Sequence, residues 1–287
     1  MELKSASWRN IPEHNIFTIP RINKHKAQTL ASEGIYNIAD IPDNFELSDA
    51  QDNYVKLIES GKPDINKVAI QDKLDELNFP LNFVDFETYM SALPFVPNTR
   101  IFEQVPFQYH YFLLESNGEI SEANHVSADI ERVREDFLES LLDVLLNNDG
   151  SIIAYNIRFE IGILKKLSFK YPEYSNDIES IIGRFWDLEN VFRHYKDPGF
   201  LGRTSLKNVL PVIVPNMSYD NLDIIEGKQA GIIWEEMLLI EDENAKKEMM
   251  RKLVDYCYQD TFGMVQIYEY LKHVLSDSST EQTELPW

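Results

Sequence analysis

"LNFVDFETYM", residues 81–90, is the stretch that decides how the rest of the chain is read. Leu81, Phe83, Val84 and Phe86 suit the interior of a sheet, yet Asp85 stands among them and Glu87 follows two places on. In a strand, residues i and i+2 share a face, so the two carboxylates are neighbours. A charge taken into a core is costly unless a partner neutralises it. Either these acids line a solvated strand end, or a divalent cation is meant to sit between them.

Around that stretch, the 287 residues are 44% hydrophobic and 12% aromatic, enough for a large core and too much for a disordered chain. No apolar run approaches the roughly 18 residues of a membrane span. The first residues, MELKSASWRN, lack the apolar segment of a secretory signal. With one cysteine, Cys257, there is no intramolecular disulfide and no multi-cysteine metal site. A reducing cytoplasm and no membrane partner are the expectation. The net charge of −21 disfavours broad binding to phosphate backbones, but the charge is uneven. Residues 158–207 carry 9 basic and 7 acidic side chains, and each of the blocks 1–75, 76–157 and 208–287 is net acidic. A nucleic-acid strand would track the 158–207 block.

Working outward, residues 1–78 read as a small helical region docked on the main domain. Its helices are short and must pack to persist. From 79 to 275 strands and helices mix. LNFVDFET is followed by EQVPFQYHYFLLES, an Asn117–Gly118 hairpin signal and a returning strand EISEANHVSA. An amphipathic helix starting near Asp129, a short buried strand GSIIAYN, the helix IRFEIGILKKLSFKY and a long terminal helical segment complete the order. The reading is an α/β domain, a mixed sheet with an antiparallel hairpin half and helices packed on it. Residues 276–287 read as a mobile tail.

Two more acids interrupt apolar surroundings. Glu160 follows Asn156 by four places at the start of a helix, where an acid serves as a dipole or cap residue or belongs to a site. Tyr256 and Asp260 are i and i+4 on one helical face among apolar neighbours, a satisfied buried Asp or a third site acid. Cys257 reads as a packing residue, since no His lies near it in sequence.

D-x-E on a first strand, N-x-x-F-E after a later one and Y-x-x-x-D on a late helix together resemble the DEDD exonuclease superfamily, the DnaQ-like branch of the ribonuclease-H-like fold. Tyr256 puts the likeness in the DEDDy subgroup. Phe185–Leu188 (FWDL) and Thr204–Lys207 (TSLK) fit segments that lie between its later motifs. More narrowly, Lys26, Ala27, Leu30, Gly34, Ile35, Ile38, Asp40, Ile41 and Pro42 ahead of DFET resemble the DUF2779 family, relatives of RecB-like nucleases. Longer members of it carry an upstream nuclease domain, so the chain reads as a shortened member or a fragment.

The resemblance implies a ribonuclease-H-like fold and a 3′–5′ exonuclease that hydrolyses single-stranded DNA or RNA, or short oligonucleotides, with two divalent cations, Mg²⁺ or Mn²⁺. It implies metal ligation by Asp85, Glu87, Glu160 and Asp260, with Tyr256 orienting the attacking water. It also implies substrate contacts from Phe86, Thr88, Asn156 and Phe159 beside the acids, with core packing the alternative for Phe86 and Phe159. Arg203 and Lys207, with Arg158 and Lys165, are candidate phosphate contacts. The family has Asp where this chain has Glu160. The longer side chain strains an octahedral Mg²⁺ shell, so Asp187 is a substitute acid to examine. A weakened scaffold that binds nucleic acid or protein without cleaving it is the other expectation.

Overall fold

The computed structural model describes residues 11–217, 223–224 and 226–277. The expected tail therefore lies outside the described residues beyond Asp277. The N-terminal region contributes α1 (Lys24–Ser32), α2 (Asp49–Ser60), β1 (Asp64–Ile65) and α3 (Lys67–Leu74). Asn23 caps α1 and a Ser48–Gln51 capping box opens α2. Ile16, Ile19, Leu30, Ile38, Tyr54, Val55 and Leu57 bury one another in a small core of their own. The region is tied to the rest by β1, which pairs with β7 (Tyr195–Lys196), and by Lys67 Nζ donating to the Asp277 carbonyl.

The main sheet runs β2 (Leu81–Tyr89), β3 (Val105–Leu114), β4 (Ile120–Val126), β5 (Ile152–Ala154) and β6 (Phe185–Asp187) in chain order. In space the order is β4-β3-β2-β5-β6. β3 is antiparallel to both neighbours, while β2, β5 and β6 are parallel. Asn117–Gly118 turns β3 into β4, with Gly118 at φ 89 and Glu115 N donating to Glu119 O. β2 is central and pinned by a buried knot. Asn82 Nδ2 donates to the carbonyls of Pro80 and Ser151, and the Tyr111 hydroxyl donates to Asn82 Oδ1.

Helices cover both faces. α4 (Val133–Leu145), α5 (Arg158–Lys170) and α6 (Ser175–Ile182) bury Val84, Phe86, Tyr109 and Ile152. α4 begins four residues after Asp129, whose carboxylate instead accepts from Glu131 N. α7 (Leu206–Ile213), α8 (Gly227–Leu239) and α9 (Glu243–Ser276) cover Phe83, Tyr89, Val105 and Phe107 on the other face. Trp234 of α8 is fully buried there, its indole donating to the Ser127 carbonyl and its ring stacked on Phe107. Alternation along β2 therefore turns Asp85 and Glu87 toward α8 and α9 and Phe86 toward α4. Between Glu87 and Thr88 the register with β3 slips, from Gln108 to Pro106. Such bulges re-aim a strand next to functional sites.

Candidate metal centre

Asp85 and Glu87 project from β2, and Asp260 meets them from α9. One carboxylate oxygen from each of the three lies within 4.8 Å of the others. Glu87 and Asp260 are buried, and Asp85 stays partly accessible from a cleft. Burial raises the pKa of Asp85 well above the usual carboxylate range, and Asp260, Glu87 and Glu160 add to it in that order. Glu87 is pushed up to about 8 by burial and then by Asp260, with the Lys207 charge opposing.

Glu160, in the first turn of α5, is 2% exposed. Among the described residues its Oε2 has no hydrogen-bond partner. Burial pushes its pKa up to about 8, its own backbone N–H opposes this, and Asp187 raises it further. It does not join the three-acid group, but its charge is felt by both Asp85 and Glu87. Asp187 has other work. Its Oδ1 accepts from Asn156 N at 2.9 Å and Glu189 N at 3.1 Å. It brackets the turn in which Asn156 takes φ 62, and it is not one of the grouped acids.

Lys207, second residue of α7, donates from Nζ to the Tyr256 hydroxyl at 3.0 Å and lies 5.2 Å above its ring. Cys257 is buried behind the acids, its thiol donating weakly to Asp85 O at 3.6 Å and Oδ2 at 3.7 Å. Burial pushes that thiol well up, so it stays protonated. In front of the acids is a cavity of about 300 Å³ lined by Asp85, Tyr155, Asn156, Glu189, Ser205, Leu206, Lys207 and Asp260. Its walls are cross-tied, since the Tyr155 hydroxyl donates to the Thr204 carbonyl and Thr204 Oγ1 to Glu189.

The other expected contacts divide. Asn156 and Lys207 line the cavity. Phe159 is 37% exposed beside Glu160. Phe86 takes the core-packing alternative and not the substrate contact. It is 3% exposed on the opposite face of β2, edge-on to Phe137 of α4 at 5.2 Å. Thr88 is half-buried at the end of β2, opposite Pro106. Arg203, Arg158 and Lys165 are exposed and do not line the cavity. Sequence reasoning missed Tyr155, Glu189 and Gly227. A Cβ added to Gly227, at the start of α8, would stand 2.9 Å from Glu87 Oε2. The signals for Tyr155 and Glu189 were adjacency to Asn156 and Asp187, and nothing in the sequence marked Gly227.

Residues 82–205 match the family model described as a domain of unknown function, DUF2779. That match supports the DUF2779 family. The DUF2779 stretch carries Asp85, Glu87 and Glu160 and ends before Lys207, Tyr256 and Asp260, so the centre is completed from outside it. No curated protein and no solved structure matches the chain. Among the described residues no helix is long and apolar enough to cross a membrane.

Proposed function

We propose that this chain is a metal-dependent 3′–5′ exonuclease acting on single-stranded DNA or RNA with two divalent cations, Mg²⁺ or Mn²⁺. The observation that carries this reading is the cluster of Asp85, Glu87 and Asp260, three acids within 4.8 Å, in which burial and the neighbouring carboxylates push Asp85 and Glu87 toward protonation. Carboxylates crowded together in a buried setting are a standing cost to a fold, and carboxylate oxygens are the ligands hard divalent cations take. The orphaned Glu160 Oε2 suits the same use. The strand order with β3 alone reversed supports the ribonuclease-H-like fold that the resemblance implies. The single cysteine fits a reducing cytoplasm.

In this reading Asp85, Glu87 and Asp260 hold the cations and Glu160 completes the set. When bound, the cations stabilise charge developing on the phosphoryl and leaving oxygens. Tyr256 orients the attacking water through its hydroxyl, which Lys207 holds in place. Asn156 offers its amide at the cavity wall to the terminal nucleotide. Tyr256→Phe keeps the ring beneath Lys207 and removes the hydroxyl. It is expected to lower kcat by about 10²-fold with little change in KM. Steady-state kinetics decides, and a raised KM at unchanged kcat would make Tyr256 a binding residue instead.

Gly227→Ala places a methyl against Glu87 and displaces it. Mn²⁺ affinity by titration calorimetry should weaken roughly tenfold or more, the usual effect of disturbing a ligand's support. Unchanged affinity would show that Glu87 does not need its observed position.

The deciding experiment incubates the purified protein and 5′-labelled single-stranded DNA and RNA with Mn²⁺, Mg²⁺ or EDTA. A ladder shortened from the 3′ end, with mononucleotide release and only with metal, is the expected result. Intact substrates under all conditions would overturn the nuclease reading and leave a binding scaffold.

A further inference from the structure

A second group of side chains lies along one flank of α5, outside the acid centre. Phe159, Ile163, Lys166 and Lys170 are spaced i, i+4, i+7 and i+11 and so form one stripe along the helix. The loop 90–104, between β2 and β3, runs alongside that stripe, with Lys166 Nζ donating to Gln104 Oε1 at 2.8 Å. Between them is a small open groove with about 20 Å³ at its floor, lined by Gln104, Pro106, Arg134, Ile163, Lys166 and Lys170 among others.

The groove is built rather than incidental. Arg134 is buried, with its guanidinium donating to Thr99 Oγ1 at 2.6 Å and Glu103 Oε1 at 3.2 Å. Among the described residues that carboxylate is the one acid lining the groove, against three cations. Lys166 and Lys170 have no ion-pair partner among the described residues. Burial and then the Arg134 charge lower the Lys170 pKa, with Glu103 opposing. In a chain of net charge −21 the groove is a local reversal of sign.

Apolar surface lies at hand. Phe102 of the loop is 61% exposed at φ 58, a backbone region bulky residues rarely occupy. Ile101 beside it is 65% exposed. The groove and the acid centre share no lining residue, but two neighbours place them at the same end of β2. Pro106 is the register partner of Thr88, one residue beyond Glu87, and Phe159 adjoins Glu160. At 1.5 Å per residue, Lys166 and Lys170 lie roughly 9 and 15 Å along α5 from Glu160.

Cations alternating with exposed rings are how proteins hold single strands without reading sequence. We infer that the groove between α5 and the 90–104 loop carries the single strand away from the acid cluster, the exposed Lys166 and Lys170 taking its phosphates and Phe159 and Phe102 its bases. This rests on the nuclease reading and adds a substrate preference, for strands several nucleotides long over dinucleotides.

The test uses the full chain, a fluorescent 12-mer of thymidylate and the corresponding dinucleotide. Lys166→Glu with Lys170→Glu should raise the 12-mer Kd, measured by anisotropy in EDTA, at least about tenfold at low salt. The slope of log K against log salt should fall by about 1.4, the loss of two single-strand phosphate contacts. Phe102→Ala should weaken binding about fivefold or more. With metal, the preference for 12-mer over dinucleotide in kcat/KM should shrink at least about tenfold in the double variant. Lys24→Glu with Lys26→Glu, on α1, makes the same charge change elsewhere and should leave the Kd within about twofold. Equal weakening by both double variants would mean general electrostatics and overturn the groove. So would a Lys166/Lys170 variant that binds and cleaves the 12-mer like the parent, with the nuclease reading intact. A parent that cleaves nothing sinks the nuclease reading instead, and the anisotropy still judges the groove by itself.

Discussion

Asp85→Asn is expected to abolish metal-dependent hydrolysis, by about 10³-fold or more, while making the metal-free protein more stable. The two effects share one cause. Asp85 is held against Asp260, Glu87 and Glu160 in a buried setting that disfavours its charge. Asparagine keeps its shape and donates where the carboxylate repelled. Each pKa unit of relief on a neighbour is worth about 1.4 kcal/mol. A chain of this size gains roughly 2–4 °C in Tm per kcal/mol. The adjacent residue gives the opposite pattern. Phe86 lies in the core against Phe137, and truncating it to alanine costs about 3–5 kcal/mol. Thermal melts in EDTA and hydrolysis in Mn²⁺ separate the two. An Asp85→Asn protein that melts lower, or still cleaves, would show that the acids are structural.

That contrast also shows what was legible before the fold was known. Period-two alternation was enough to pair Asp85 with Glu87. The same alternation sends Phe86 to the other face, and the substrate role implied by the resemblance went against it. Asn117–Gly118 marked its hairpin because the turn chemistry is local. Glu160 was legible as a helix-start acid, but its burial depends on where α5 meets the sheet. Asp187 was the natural substitute acid in sequence, yet two backbone N–H groups already claim its Oδ1. Gly227 and the Tyr155–Thr204–Glu189 tie depend on contacts between distant segments, which no local pattern encodes. The pairing of β1 with β7 was illegible for the same reason, since two residues carry no periodicity.

Without metal, stability should fall as pH rises from about 4.5 to about 8. Glu87 and Glu160 are both pushed up to about 8, chiefly by burial. In the unfolded chain a glutamate titrates at about 4.3. Between those values the folded chain holds protons that the unfolded chain has released, so raising the pH favours unfolding. Their stabilising contribution is complete below the unfolded value and lost as pH passes through the folded one. Each group contributes at most about 1.4 kcal/mol per pH unit, and coupling within the cluster makes the sum smaller. Divalent cations reverse the trend. To bind, they must displace those protons, so the rise in Tm on adding Mn²⁺ should be small near pH 5 and large near pH 8. Melting curves in EDTA and in Mn²⁺ across that range should therefore diverge. Glu160→Gln removes one titrating group from the buried set and should flatten the EDTA curve. If the two curves ran parallel, the acids would not exchange protons for metal, and the centre would have lost its chemical reason for being buried.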